Sequence, residues 1–267
     1  MSKFGFIGCG NMGGALARAV AKAVDEPVLL SDHHPEKMAA ISADTGAVIS
    51  DTATIAVECG FIFLGAKPQV TDKLLDEIKP ALAARSNGFV LVSMAAGISI
   101  AQLCSMAGGE YPVIIIKPNT PVAVGEGMTQ YTKNALVTDA QHAEFLQAMR
   151  LSGVVAEQDE KFSHASGAVS GCGPAFAYLF IEALADAGVK CGLPRAKAMQ
   201  YAAQTLVGAG KMVLETGEHP GALKDAVCSP AGATIEGVHA LERNGFRGAV
   251  IDAVVEAFNR TTTLGNK

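Results

Sequence analysis

The chain has 267 residues, 49% hydrophobic and 18% charged, with a formal net charge of −5 at pH 7. That length allows one or two domains, and that composition excludes a disordered chain. Lysine and arginine are scattered with no basic run to track a phosphate backbone, so no nucleic-acid partner is expected.

Short apolar runs alternate with amphipathic stretches through the first half, the pattern of a parallel sheet with crossover helices. The predicted strands are Phe4–Ile7, Val28–Leu30, Ala47–Ile49, Phe61–Leu64, Phe89–Val92 and Val113–Ile116. Helices are expected at 11–24, 35–45, 52–59, 69–84 and 99–107. A strand near 127–132, a helix near 138–151 and a strand near 153–157 complete the sheet. Continuous rather than alternating apolar strands imply a sheet covered on both faces, an α/β doubly wound fold.

From about residue 160 the strand signal stops. Phe176, Leu179, Phe180, Ala183, Leu184 and Ala187 recur at helical spacing after Pro174 and end at Gly188. A second helix starts near Pro194, a third after Ala231-Gly232, and a last one carries Ile251, Val254, Val255 and Phe258. The first two are apolar off their main stripe as well, at Tyr178, Ile181, Tyr201 and Val207. Such helices must be covered, which predicts a homodimer through this half. The expected domains are 1–159, sheet-containing, and 160–267, all-helical.

The six cysteines show no C-x-x-C pair and no metal-ligand spacing, so isolated thiols and no metal are expected. No signal-peptide pattern precedes Phe4, and no uncharged apolar run approaches the ~20 residues that span a bilayer. The expectation is a cytoplasmic protein with no membrane partner.

The turn Gly8-Cys9-Gly10-Asn11-Met12-Gly13 follows the first strand and opens a helix, the context in which G-x-G-x-x-G cradles a dinucleotide pyrophosphate. Gly8 permits the turn, Gly10 lets backbone approach the phosphates, and Gly13 lets the helix pack on the strand. Asp32 lies about 20 residues further on, where an acidic residue accepts from the adenosine ribose and favours NAD. Ser31, His33, His34 and Lys37 surround it and could instead donate to a 2′-phosphate, so NADP(H) and NAD(H) both stay open. Gly65-Ala66-Lys67-Pro68 and Ser93-Met94-Ala95-Ala96-Gly97 also leave the carboxyl ends of strands, as ligand loops or plain connections.

Lys224-Asp225-Ala226-Val227-Cys228-Ser229-Pro230-Ala231-Gly232-Ala233-Thr234 reads as a small-residue turn leading into a helix. Its free N–H groups suit a carboxylate. The same residues also read as an ordinary capped helix start.

Taken with Lys67-Pro68, Ala95-Ala96-Gly97, Pro118-Asn119-Thr120-Pro121, Gly171-Cys172-Gly173-Pro174 and His219-Pro220-Gly221, these segments resemble the pyrroline-5-carboxylate reductases over the whole chain. The resemblance implies a Rossmann-type N-terminal domain followed by an all-helical dimerisation domain. It implies reduction of pyrroline-5-carboxylate, a small-molecule substrate, by NADP(H) or NAD(H), in a homodimer or a ring of dimers. It places dinucleotide contacts at Ile7, Gly8, Cys9, Gly10, Asn11, Met12, Gly13, Asp32 and His33, then at Ala66, Lys67, Pro68, Ala95, Ala96 and Asn119. Ser229, Ala231, Gly232, Ala233 and Thr234 would hold the substrate, with Thr234 the catalytic residue near the imine nitrogen.

Four positions depart from the family pattern. Lys117 stands where a Met is usual and Ile115 where an Arg is common, and Lys117 is expected to snorkel from its strand end. Cys172 replaces a Ser, a better hydrogen-bond donor. Ala231 replaces a Gly and would be strained at positive φ. The competing readings are a β-hydroxyacid dehydrogenase-like oxidoreductase and a catalytically silent NADP-binding protein.

Overall fold

The computed structural model describes residues 2–265. Its centre is β1 (Phe4–Ile7), in which every residue is buried. Phe4 stacks on Phe61 at 4.9 Å and Phe6 on Phe63 at 4.3 Å between ring centroids, so β1 and β4 (Phe61–Leu64) share an aromatic seam on one sheet face. Ile7, Ile62 and Leu64 point to the opposite face and join a second core. Both faces are therefore packed, as continuous apolar strands require.

Helix α1 (Asn11–Ala23) lays Leu16, Ala17 and Val20 on the sheet. It leads to β2 (Leu29–Ser31), α2 (Pro35–Thr45) and β3 (Val48–Ile49). Pro35 starts α2 with its fixed φ, and Gly46 ends it at φ 76°. Asp51 caps α3 (Thr52–Glu58) by accepting the Thr54 N–H at 2.7 Å. After β4 come α4 (Pro68–Ala83), β5 (Val90–Ser93) and α5 (Ile100–Ala107), the last begun by a Ser99/Gln102 capping box. Strand β6 (Val113–Lys117), β7 (Gly127–Lys133), α6 (Asp139–Met149) and β8 (Gly153–Glu157) close the sheet.

The strand order is β3-β2-β1-β4-β5-β6-β7-β8, parallel except for the β6–β7 pair. Strand order thus reverses direction between β1 and β4, the crevice where open α/β sheets bind ligands. One expectation needs correction. The run Ala47–Ile49 is not covered on both faces: only Val48–Ile49 forms a strand, and these side chains are 46% and 49% exposed because β3 is the sheet edge.

Chain packing separates the sheet-containing unit from a helical unit, Cys172–Ala257. Residues 160–171, a short helix α7 (Ser163–Ser166) and a π-helical turn (Gly167–Gly171), pack with the sheet. Side chains explain this. Asn119 Nδ2 donates to Ser170 O at 3.0 Å, Gln130 pairs with the Ser170 hydroxyl, and Gln158 Nε2 donates to Ser166 Oγ.

The helical unit contains α8 (Gly173–Lys190), α9 (Arg195–Thr216), α10 (Pro220–Val227) and α11 (Ala233–Arg243); α12 (Phe246–Gly265) begins within it. Its core is three alanines, Ala185, Ala198 and Ala202, with Ile181 and Val189 beside them. Tyr178, Leu179, Tyr201, Met212, Leu214 and Ile251 remain exposed. The helical run Glu160–Lys190 contains an 18-residue stretch of mean hydropathy 1.4 and so passes the length and composition test for a membrane span, which qualifies the expectation drawn from uncharged runs alone. Glu182 and Asp186 on α8 interrupt its apolar character.

Candidate active site

The carboxyl ends of β1, β2 and β4 open into one cleft of about 510 Å³. Gly8, at φ +102°, turns the chain after β1 where a side chain would be strained and would meet the Gly65 carbonyl carbon. Its N–H donates to Ser31 O at 2.8 Å, and Gly65 N–H donates to Ile7 O at 2.7 Å, so the turn is pinned to both neighbouring strands. A side chain on Gly13 would collide with the Gly8 carbonyl oxygen, which is why helix and strand can sit this close.

Helix α1 begins at Gly10 with no side-chain cap and no acidic residue in its first turn. Space above Gly10 is open. Its first N–H groups are therefore unpaired donors at the positive end of a helix dipole, facing room for phosphate. This chain fits a dinucleotide by those features.

The structure brings Ile7, Gly8, Gly10, Asp32, His33, Ala66 and Lys67 to this cleft. Cys9, Gly10 and Asn11 line a neighbouring groove with Arg18, Glu36 and Lys37. Met12 packs on the core, Pro68 is the first residue of α4, and Ala95 is buried beside exposed Ala96 after β5. Asn119 is committed inside the protein: Oδ1 accepts the Met128 N–H at 2.9 Å while Nδ2 holds Ser170 O. Its side chain braces β7 and the π-turn.

Sequence reasoning missed Val70, Lys73, Leu74 and Glu77, which line the cleft from α4. Their helical spacing was visible, but only the strand order reveals that α4 flanks the crevice. Asp32 differs in detail from the expectation. Its Oδ2 accepts the Cys9 N–H at 2.5 Å and its Oδ1 the His34 N–H at 2.8 Å, so both oxygens bind backbone. His33 and His34 are exposed around it. Burial, with Asp32 nearby, pushes the Cys9 thiol up to about 11, so this residue of the turn is an un-ionised packing group.

The second turn is Cys228–Gly232. Lys224–Val227, expected in the turn, instead form the last residues of α10, a helix whose N-terminus is capped by His219 Nδ1, which accepts the Gly221 N–H at 3.0 Å. Ala231 is the one described non-glycine residue at positive φ, 57°. Gly232 N–H donates to Ser229 O at 3.0 Å, and a side chain at Gly232 would collide with the Ser229 hydroxyl. Gly232 then caps α11 without a side-chain bond, leaving the Ala233 and Thr234 N–H groups free beside the exposed Ser229 and Thr234 hydroxyls. These features make a small anion-binding turn with two hydroxyls.

Lys117 does not snorkel outward. Its Nζ turns in and donates to Ser163 O at 3.1 Å, and burial lowers its pKa while Glu160 opposes the shift. Cys172 Sγ makes no hydrogen bond among the described residues.

Sheet order, glycine turn and crevice together define a nicotinamide-dinucleotide oxidoreductase of the Rossmann type. A family model described as pyrroline-5-carboxylate reductase dimerisation matches residues 160–264, and one described as NADP oxidoreductase, coenzyme F420-dependent, matches 3–97. The chain is 43% identical over 266 residues to a pyrroline-5-carboxylate reductase of Escherichia coli (strain K12), covering 98% of each chain. It is 37% identical to that of Methanosarcina acetivorans, over 99% of this chain and 98% of the other. A Plasmodium falciparum pyrroline carboxylate reductase solved with NADP bound superposes at a TM-score of 0.85, with 34% identity, over 99% of this chain and 98% of that one. The chain belongs to the pyrroline-5-carboxylate reductase family.

Proposed function

We propose that this chain reduces 1-pyrroline-5-carboxylate to L-proline with NAD(P)H, as its family membership supports. When bound, the nicotinamide supplies the hydride that the C=N carbon accepts, while the ring nitrogen carries the proton. The observation that carries the reading is the 229–234 turn, with free helix N–H groups and two hydroxyls suited to a carboxylate and an imine.

Ser229, Ala231, Gly232 and Ala233 form the turn that holds the carboxylate, through the free N–H groups at the start of α11 and the Ser229 hydroxyl. Thr234 stands at the imine nitrogen, orienting it and supporting its proton. A cyclic iminium can arrive already protonated, so the protein's contribution is chiefly positioning. Ile7 to Gly13, Asp32, His33 and Ala66 to Pro68 hold the dinucleotide, with Ala95, Ala96 and Asn119 at its nicotinamide end.

NADP(H) is the favoured partner, because the Asp32 oxygens already bind backbone while two histidines stand beside them. The working domains are 1–159 and 160–267. The exposed apolar faces of α8 and α9 pair in a homodimer, and further assembly gives a ring of dimers; the reaction takes place in the cytoplasm.

The test mixes purified protein, NADPH and DL-pyrroline-5-carboxylate and follows nicotinamide absorbance alongside proline. Matched loss and formation are expected. Oxidation of 3-hydroxyisobutyrate without imine reduction would instead mark a hydroxyacid dehydrogenase, and NADPH binding without turnover a silent binder.

A further inference from the structure

The sheet-containing unit holds a second cavity, between the loop after β5, β6, β7 and the segment entering α7, which shares no lining residue with the dinucleotide cleft. Its volume is about 110 Å³. That is room for about four waters at the ~30 Å³ each takes in the liquid, hence for one small solute.

Its walls carry both charges. Lys117 and Glu160 line it together with the His164 ring, and Ile98 and Ile115 give it an apolar side. The Lys117 ammonium makes one hydrogen bond, to Ser163 O at 3.1 Å, and forms no ion pair among the described residues. The Glu160 carboxylate accepts one long bond, from the Ile100 N–H at 3.4 Å. His164 Nδ1 is buried with no hydrogen-bond partner. Buried polar groups are costly when left without partners; the half-buried Lys117 ammonium, with its single hydrogen bond, shares this space with the exposed Glu160 carboxylate, so the cavity offers a solute one partner of each sign.

A bare anion would satisfy Lys117 but meet the Glu160 carboxylate. A bare cation would satisfy Glu160 but meet Lys117. A ligand carrying both charges at a short separation pairs with each wall.

We propose that this cavity binds a small zwitterion of the α-amino-acid type. Its carboxylate is held by the Lys117 ammonium. Its ammonium is held by Glu160, and its short aliphatic part lies on Ile98 and Ile115.

The experiment is calorimetric titration of the full-length protein without NADPH or imine, so its result stands apart from whether the chain reduces pyrroline-5-carboxylate. The probes are glycine, L-alanine and L-proline, with acetate and ethylamine as single-charge controls. At least one amino acid is expected to bind at least tenfold more tightly than either control. Lys117→Met and Glu160→Gln are each expected to weaken that binding at least tenfold while NADPH affinity and the circular-dichroism spectrum stay as in the parent. Acetate binding as tightly as the amino acid, an amino-acid affinity unmoved in both variants, or no binding by any of the three would overturn the proposal. L-Proline bound only at the 229–234 turn belongs to the second outcome, since neither variant touches that turn.

Discussion

Asp32 accepts the Cys9 backbone N–H at 2.5 Å, tying the end of β2 to the middle of the glycine turn. The carboxylate therefore shapes the pyrophosphate cradle as well as the adenosine end of the cleft. Its remaining charge opposes a 2′-phosphate, a repulsion that His33 and His34 beside it offset. Asp32→Asn keeps an acceptor for one backbone N–H and removes that charge. The ratio of kcat/KM for NADPH over NADH is expected to rise about tenfold, the effect of ~1.4 kcal/mol. Steady-state kinetics with both cofactors checks this, and an unchanged ratio would show that Asp32 has no part in the choice.

Ala231 holds φ 57° with a β-carbon in place. That region costs roughly 1–2 kcal/mol for an L-residue with a side chain, and glycine avoids the cost. Ala231→Gly is expected to raise stability by about 1 kcal/mol, less a few tenths for the greater freedom of an unfolded glycine. For a chain of this size the midpoint of thermal unfolding should rise by roughly 2–4 °C. A lower midpoint would mean that the turn is relaxed as it stands.

Thr234 lies exposed in the first turn of α11. Thr234→Ala should lower kcat/KM for the imine by about 10²-fold, the scale of losing a transition-state hydrogen bond. NADPH affinity, read by fluorescence titration, should be unchanged. A normal kcat/KM would remove Thr234 from the mechanism.

Burial raises the Cys59 thiol from 9.0 to about 12. The fold therefore favours the neutral thiol. Its contribution is fully present below about pH 9 and is lost as pH climbs toward about 12. Between about pH 8 and about pH 10.5 the parent should lose about 2 kcal/mol more than Cys59→Ala, at ~1.36 kcal/mol per pH unit beyond the unfolded pKa. Urea midpoints at the two pH values measure the difference. Equal losses would show that the thiol is free to ionise in the folded chain.

Much of the sheet was legible because its strands are apolar throughout, as Phe61–Leu64 is, and because Pro35 and Gly46 mark where α2 begins and ends. The glycine turn was legible for a related reason: Gly8 and Gly13 answer backbone constraints that act over a few residues. Long-range relations were harder. Val70, Lys73, Leu74 and Glu77 join the cleft only because β4 lies next to β1, and no local pattern states that neighbourhood. The inward turn of Lys117 depends on the Ser163 carbonyl, 46 residues away in sequence. Helix α10 is hidden for the opposite reason, since its own residues Lys224 and Asp225 belong to a small-residue motif whose local pattern is that of a turn.

The alanine core of the helical unit has a consequence for folding. Ala185, Ala198 and Ala202 bury too little apolar surface to hold α8 and α9 together against the chain entropy of ordering them. In the homodimer proposed above, formation of this unit is coupled to the meeting of two chains, and the midpoint of unfolding is expected to depend on protein concentration. Dilution acts on such an enzyme as a denaturant does. The cell's expression level, through mass action, sets how much of the polypeptide is catalyst.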